Sequence, residues 1–216
     1  MQNARKYDER ITIGCVPSHE DLIQLRDLGY RMLVDVRDEH ERFGGAVEKT
    51  ASEHKLGYTS IVASREAIRT ADVRRFYETV FDPRAQPVYA FSRFGKRPLA
   101  FLLLFDALAQ GRRVQGVFRA ASNFGLNLEG DLVLRAFIVD ALNSGELKPV
   151  VDGILAQWPE LARRQTPLSS VPKHRAEDDI STALAAALEL WTTTQDRQAL
   201  RRLLDNVGRL LASAGP

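Results

Sequence analysis

The chain has 216 residues, of which 44% are hydrophobic and 27% charged, and its formal net charge is +2 at pH 7. This composition is ordinary for a globular protein with a sizeable core, and the small net charge argues against a dedicated nucleic-acid binder. Cys15 is the only cysteine, which excludes an intramolecular disulfide. The polar N-terminus lacks a signal core and the longest apolar run, residues 98–105, is too short to span a bilayer, so we expect a cytoplasmic protein without a membrane segment.

Strand and helix patterns alternate through about residue 110. Helix signals include Ser18 as an N-cap, Thr70 as an N-cap and Gly29 as a C-cap. Such alternation predicts an α/β fold with a mostly parallel sheet covered by helices on both faces. The sequence predicts strands over 10–14, 32–36, 58–62 and 87–91, and helices over 18–28, 48–55, 71–80 and 99–109.

The second half of the chain is predicted to be almost purely helical. Apolar residues recur at helical spacing over 114–124, 131–142 and 149–158. We therefore expect an α/β domain over 8–112, a helical segment packed on it over 113–164, a polar linker over 165–178 and an amphipathic helix pair over 179–213. That pair either packs back on the domain or binds a partner protein or a second copy of the chain.

Six of the seven residues between the last predicted strand and its helix form the candidate site. A glycine and three cations in one strand–loop–helix connection are typical of a loop that holds an anion with backbone N–H groups over a helix N-terminus. A phosphate, a sulfate or another oxyanion is the expected ligand. The candidate anion-binding residues are Ser92, Arg93, Phe94, Gly95, Lys96 and Arg97.

This loop resembles the Cys-Arg-x-Gly-x-Arg loop shared by rhodanese-like domains and the phosphatase domain of bacterial beta-lactamase hydrolase-like proteins, which is related to the dual-specificity tyrosine phosphatases. The strand that ends in Asp35-Val36-Arg37 and the turn at Leu56-Gly57-Tyr58 follow the same pattern. The resemblance covers about residues 8–110. It implies a bacterial protein with a tyrosine-phosphatase-like or rhodanese-like fold, in which Asp35 and Arg37 support the loop.

The departures from that family pattern concern catalysis. Ser92 stands where the family has its nucleophilic cysteine, and a serine hydroxyl is far less acidic than a thiol. Phe91 replaces the usual histidine or tyrosine before the nucleophile. Glu66 is the one stand-in for the aspartate that serves as general acid. The combined loss indicates a catalytically degenerate, pseudophosphatase-type protein that binds an anion or a phosphorylated or acidic partner and acts through protein–protein interaction.

Three alternatives stay open at this point. The first is an active phosphatase with an atypical nucleophile, and the second, less favoured, is a sulfurtransferase, which would need the loop sulfur that Ser92 lacks. The third is an assembly or scaffold factor in which the loop is vestigial, and such a factor could be a homodimer.

No cofactor and no metal ion is predicted from the sequence. Glu39, His40 and Glu41 precede a glycine turn and are interpreted as a solvated loop rather than a metal site. Phe94 is an unusual residue for an anion loop, and we expect it either to cover the pocket or to anchor a partner.

Overall fold

The structure is a computed structural model that describes residues 4–42, 46–64 and 68–163. Its sheet has the strand order β1-β2-β5-β3-β4, in which only β1 is antiparallel to its neighbour. The predicted α/β fold with a mostly parallel sheet is therefore confirmed. The strands are β1 (Arg5–Lys6), β2 (Ile11–Gly14), β3 (Met32–Asp35), β4 (Gly57–Ser60) and β5 (Val88–Phe91).

Helices follow or connect the strands and then continue to the end of the described chain. Two 3₁₀ helices lie at Glu39–Glu41 and Pro159–Arg163. The predicted linker over 165–178 and the predicted helix pair over 179–213 lie outside the described residues. The α-helices are α1 (His19–Asp27), α2 (Ala46–Glu53), α3 (Thr70–Val80), α4 (Lys96–Gln110), α5 (Val114–Asn123), α6 (Leu132–Ser144) and α7 (Lys148–Gln157).

Two helix starts show what local sequence could and could not predict. Ser18 caps α1 in a reciprocal capping box, because its hydroxyl accepts the Asp21 N–H while the Asp21 carboxylate accepts the Ser18 N–H, each at 3.1 Å. The prediction that Thr70 caps α3 is wrong: Thr70 is already helical and Arg69 occupies the cap position without a capping hydrogen bond. Arg69 instead pairs with Asp72 one turn along.

The sheet separates two layers of hydrophobic core, and its side chains alternate between them. Val88 and Ala90 of β5 face the larger layer, whereas Tyr89 and Phe91 face the smaller one. The smaller layer lies under α1 and α2, and the larger one contains α3 and the helices from α4 onward. The helices after residue 112 thus share a core with the sheet. Within the described ranges, no helix combines the length and apolar character that crossing a membrane requires.

Helix α4 is the centre of the larger layer. Every residue from Pro98 to Leu108 is buried, and α4 contacts β5, α3, α5, α6 and α7. The helix begins at Lys96, three residues before the predicted start at Leu99. A proline is tolerated in a first turn because its missing N–H would have no helical acceptor there, so Pro98 does not delay the helix.

Strand β1 was not predicted, because two polar residues carry no periodic signal. The strand is fixed by the residue that follows it. Tyr7 is 4% exposed, and its hydroxyl donates to the buried carboxylate of Asp106 on α4. The N-terminal strand is thus fastened to the central helix.

Because α4 is tightly packed, we expect truncation of Phe101 to lower the free energy of unfolding strongly. Its ring is fully buried and makes edge contacts with Phe76 at 5.4 Å and Phe137 at 6.0 Å between ring centroids. We expect Phe101→Ala to lower the free energy of unfolding by about 3–5 kcal/mol, measured by urea denaturation. Leu28→Ala is the control, because Leu28 is 65% exposed, and we expect a change of less than about 0.5 kcal/mol.

Candidate functional site

Three parallel strands end at the same level and form the edge on which the site lies. In the sheet register, Phe91 of β5 is level with Gly14 of β2 on one side and Asp35 of β3 on the other. Beyond the strand ends, the Val36 N–H donates to the Phe91 carbonyl at 2.8 Å and the Ser92 N–H donates to the Gly14 carbonyl at 3.3 Å. The loop after β5 is therefore held by both neighbouring strands.

Gly95 turns the chain from this loop into α4. It occupies the N-cap position in the left-handed conformation, with φ of 72°. A Cβ atom there would lie 3.2 Å from the carbonyl oxygen of Gly14. Glycine therefore permits both the left-handed backbone angle and the close contact with β2.

The backbone N–H groups at the start of α4 are available to a ligand. Among the described residues, the amides of residues 93–97 donate to no backbone carbonyl, and the Leu99 amide is the first that does, to Gly95 at 3.4 Å. This is the usual state of a helix N-terminus, which carries a partial positive charge. The sequence prediction also included the Ser92 amide, but the Gly14 carbonyl already accepts from it.

A cleft of about 390 Å³ opens beside this helix start. Ser92 lies in it with a residue exposure of only 2%, and its hydroxyl has no hydrogen-bond partner among the described residues. The Ser92 hydroxyl is not among the fully buried unpaired polar atoms of the described residues, so it reaches the cleft and is open to a ligand or to water. The described residues that line the cleft are Glu41, Ser64, Ile68, Ser92, Arg93, Phe94, Lys96, Arg97, Asp131, Val133 and Leu134.

An ion pair fixes Arg97 in the cleft. Its Nη1 donates to Glu41 Oε2 at 2.6 Å, and the two side chains are only 13% and 8% exposed. Interpreting Glu41 as part of a solvated loop was therefore wrong. The Asp38-x-x-Glu41 spacing was the available signal, because these residues form a capping box that folds the 3₁₀ turn and presents Glu41 to the cleft.

A second carboxylate enters the cleft from the helical half of the chain, and the sequence analysis did not identify it. Asp131 caps α6 by accepting the Leu134 N–H at 3.3 Å, and its other oxygen lies 3.9 Å from Lys96 Nζ. At the cleft mouth, the Arg93 guanidinium lies 5.0 Å from the centre of the Phe94 ring, which is 56% exposed. The cleft therefore combines cations, carboxylates and an exposed aromatic ring.

Asp35 and Arg37 lie beneath the loop and do not line the cleft. The carboxylate of Asp35 is fully buried and accepts from Arg37 Nη2 at 2.7 Å, from Arg37 Nε at 3.0 Å and from the Tyr58 hydroxyl at 2.7 Å. The Arg37 guanidinium in turn lies 5.5 Å from the centre of the Phe91 ring. This cluster joins β3, β4 and the end of β5, which is where the loop begins.

The same cluster keeps its donors protonated. Burial, with the hydrogen bond to Asp35 as the second cause, raises the pKa of the Tyr58 phenol well above its ordinary value. The hydrogen bonds to Asp35 raise the pKa of the Arg37 guanidinium. Asp35 thus accepts from two permanent donors across the working pH range.

Among its described lining residues, the cleft contains groups that can bind an anion but lacks the nucleophilic cysteine of the phosphatases that the loop resembles. No cysteine and no histidine is among its described lining residues, and Cys15 lies beyond the end of β2. In the described ranges, no three histidine, cysteine or acidic side chains are grouped as a metal site would require. Glu66, the predicted stand-in for the general acid, lies outside the described residues.

Removal of the Asp35 carboxylate should strongly destabilise the fold. Asp35→Ala leaves the buried Arg37 guanidinium and the Tyr58 hydroxyl without their acceptor, so we expect a loss of about 3–5 kcal/mol in the free energy of unfolding. Asp27→Ala is the matched control, because Asp27 pairs with Arg26 at an exposed position. We expect that variant to lose less than about 1 kcal/mol. Equal losses in the two denaturation curves would contradict a supporting role for Asp35.

Two constraints act on Gly95, the close contact with β2 and the left-handed backbone angle. Their costs in free energy of unfolding can be measured separately. Gly111, at the other end of α4, has φ of 62° with no atom within 4 Å of a Cβ placed there. We expect Gly111→Ala to cost about 1–2 kcal/mol for the left-handed angle alone. Gly95→Ala should cost more, because its Cβ also meets the Gly14 carbonyl. The comparison uses denaturant midpoints, and an equal cost at both positions would show that the contact with β2 is unimportant.

Comparison with solved structures shows that several phosphatases share this fold. No protein-family model matches the chain, and no curated protein sequence matches it either. Solved structures do match. The core catalytic domain of the PP-IP phosphatase SIW14 from S. cerevisiae, in complex with citrate, superposes with a TM-score of 0.58 at 14% identity, covering 72% of this chain and 92% of that one.

Two bacterial structures are also similar to the chain. A putative phosphatase from Neisseria meningitidis has a TM-score of 0.51 at 23% identity and covers 63% of this chain and 96% of its own. A cysteine-to-serine variant of P. aeruginosa TpbA in complex with phosphotyrosine has a TM-score of 0.52 at 17% identity, with coverages of 73% and 90%. At these identities the likeness concerns the fold, and the chain has the tyrosine-phosphatase-like α/β fold of these phosphatases.

Proposed function

We propose that this protein is a catalytically degenerate member of the phosphatase fold that binds a phosphate group through the loop at residues 92–97. It would act by holding a phosphorylated partner protein rather than by hydrolysing it. The specific resemblance to the phosphatase domain of beta-lactamase hydrolase-like proteins stays a prediction within this proposal.

One observation carries the proposal: Ser92 is buried at the cleft, and its hydroxyl has no hydrogen-bond partner among the described residues. Next to it are the free amides of residues 93–97 and the Arg97 side chain, of which one nitrogen is held by Glu41. The other guanidinium N–H groups of Arg97 make no hydrogen bond within the described part of the chain. The several oxygens of one phosphate group can together accept hydrogen bonds from donors of these three kinds.

The same residues argue against hydrolysis. A serine nucleophile needs an adjacent base to remove its proton, and imidazole is absent from the described cleft lining. Glu41 and Asp131 are carboxylates, but each lies beside a cation of the cleft. Sulfur transfer would need a thiol at the position of Ser92. Holding the phosphorylated group without cleaving it remains the function that these side chains support.

The serine variant of P. aeruginosa TpbA supports this interpretation. That protein is held in complex with phosphotyrosine although a cysteine has been changed to serine. Ser92 of the present chain is a natural serine, and a serine hydroxyl can donate to a phosphate oxygen without attacking the phosphorus. We therefore take the natural serine to be compatible with stable binding.

The first test measures phosphate binding to the parent protein and to two variants of the Glu41–Arg97 ion pair. Inorganic phosphate should stabilise the parent protein against thermal unfolding in a concentration-dependent way. Glu41→Gln removes the carboxylate but keeps Arg97, so we expect phosphate to bind at least as tightly. The double variant Glu41→Gln with Arg97→Ala leaves no buried unpaired charge, and we expect about tenfold to hundredfold weaker binding, measured by calorimetry.

Hydrolysis is tested on the same samples with p-nitrophenyl phosphate. We expect no turnover above background. Turnover that disappears in Ser92→Ala would show a working nucleophile and overturn the degenerate assignment. Absence of any phosphate stabilisation in the parent would instead favour a vestigial loop.

A further inference from the structure

We infer that the exposed face of α6 packs against the same face of a second copy of this chain, with the two helices parallel. The protein then forms a weak homodimer with two-fold symmetry. This inference concerns α6 rather than the loop at residues 92–97, so it goes beyond the proposed function and can fail without it.

Helix α6 has apolar side chains on two opposite sides, of which one is buried. Its 13 residues include three leucines, two valines, two alanines, one phenylalanine and one isoleucine, and Leu134, Ile138 and Ala141 are buried. A helix that is apolar all round is normally covered all round. Leu132, however, is 75% exposed, more than any other large apolar residue in the described part of the chain.

The uncovered side of α6 is a stripe with the spacing of a coiled-coil seam. Ala136 follows Leu132 after four residues, Val139 follows after three more, and Asn143 continues the series after another four. Leu132, Ala136 and Asn143 are exposed, and Val139 is only partly buried and does not belong to either core layer. Alternating intervals of three and four residues are the pattern by which two helices pack side by side.

Two charges of opposite sign flank this stripe. At 3.6 residues per turn, Arg135 lies on one flank and Asp140 on the other, and both side chains are exposed. Neither takes part in an ion pair within the described ranges. Both charges are therefore available to a helix that packs on the stripe.

The order of the two charges favours a second copy in the parallel orientation. In a parallel symmetric pair, a charge on one flank meets the charge five positions further along the other helix. Arg135 then meets Asp140 of the second copy, and by symmetry Asp140 meets its Arg135. An antiparallel pair brings each Arg135 to its own counterpart instead. A single asparagine in the seam, here Asn143, is a further feature that fixes the register of paired helices.

The size of the stripe sets the strength of the dimer. The seam spans residues 132–143, which is less than two heptads, so the buried area falls below the roughly 1,200–2,000 Å² of stable interfaces. We therefore expect a dissociation constant on the order of 10–100 µM.

The parallel orientation also places the two clefts. Asp131 caps the N-terminal end of α6 and lines the cleft. Two parallel α6 helices have their N-terminal ends side by side. Both clefts therefore lie at the same end of the dimer.

The test uses two variants with reversed charges, studied by sedimentation velocity between about 10 and 500 µM. Arg135→Glu brings two acids together across the seam, and Asp140→Arg brings two arginines together. We expect each variant alone to dimerise about tenfold more weakly than the parent protein. In an equimolar mixture, every flanking contact joins opposite charges, so we expect the mixed dimer to match the parent within about twofold.

Leu132→Asp tests the apolar part of the seam. An acidic residue is favourable in the first turn of a helix, so the fold should persist, whereas the dimer should weaken at least about tenfold. Leu28→Asp is the matched control, because Leu28 is a 65% exposed leucine at the C-cap of α1. We expect that variant to dimerise like the parent.

Three results would overturn the inference. They are a parent protein that stays monomeric over the whole concentration range, a dimer that Leu132→Asp weakens no more than Leu28→Asp does, and a mixture that associates no more tightly than the separate variants. None of them bears on phosphate binding at residues 92–97, so the proposed function is tested independently.

Discussion

The buried carboxylate of Asp35 is the interaction on which the site depends. It is fully buried and accepts hydrogen bonds from Arg37 and Tyr58, and so it links the end of β3 to β4. Arg37 lies over the ring of Phe91, the last residue of β5. Because Ser92 follows directly, the position of the loop at residues 92–97 is set by a charge cluster whose residues do not line the cleft.

Local signals predicted the fold well and the site only in part. Some signals involve only a few neighbouring residues and can be interpreted without a structure. They include the strand periodicity, the capping box at Ser18 and the turn glycine Gly95. Glu41 and Asp131 reach the cleft through contacts with Arg97 and Lys96 that are distant in sequence. The Asp38-x-x-Glu41 spacing indicates a local turn but not the contact of Glu41 with Arg97, so the sequence predicted the cations of the site without the carboxylates that balance them.

The carboxylates change what kind of anion site this is. A loop of amides and cations alone would favour any anion, and more strongly the greater its charge. Glu41 and Asp131 lower that general attraction while leaving the donors near Ser92 in place. The described lining also includes the apolar residues Ile68, Phe94, Val133 and Leu134.

The contact between Gly14 and Gly95 also constrains the order in which parts of the chain fold. Gly95 takes its conformation against the carbonyl of Gly14, a residue of the first parallel strand, while the loop itself follows the last strand. Contacts between segments so far apart in sequence form slowly, because the intervening chain must first be ordered. The loop can therefore reach its final shape only after β2 has joined β5. In a nascent chain, the cleft beside α4 is complete only once the sheet has formed.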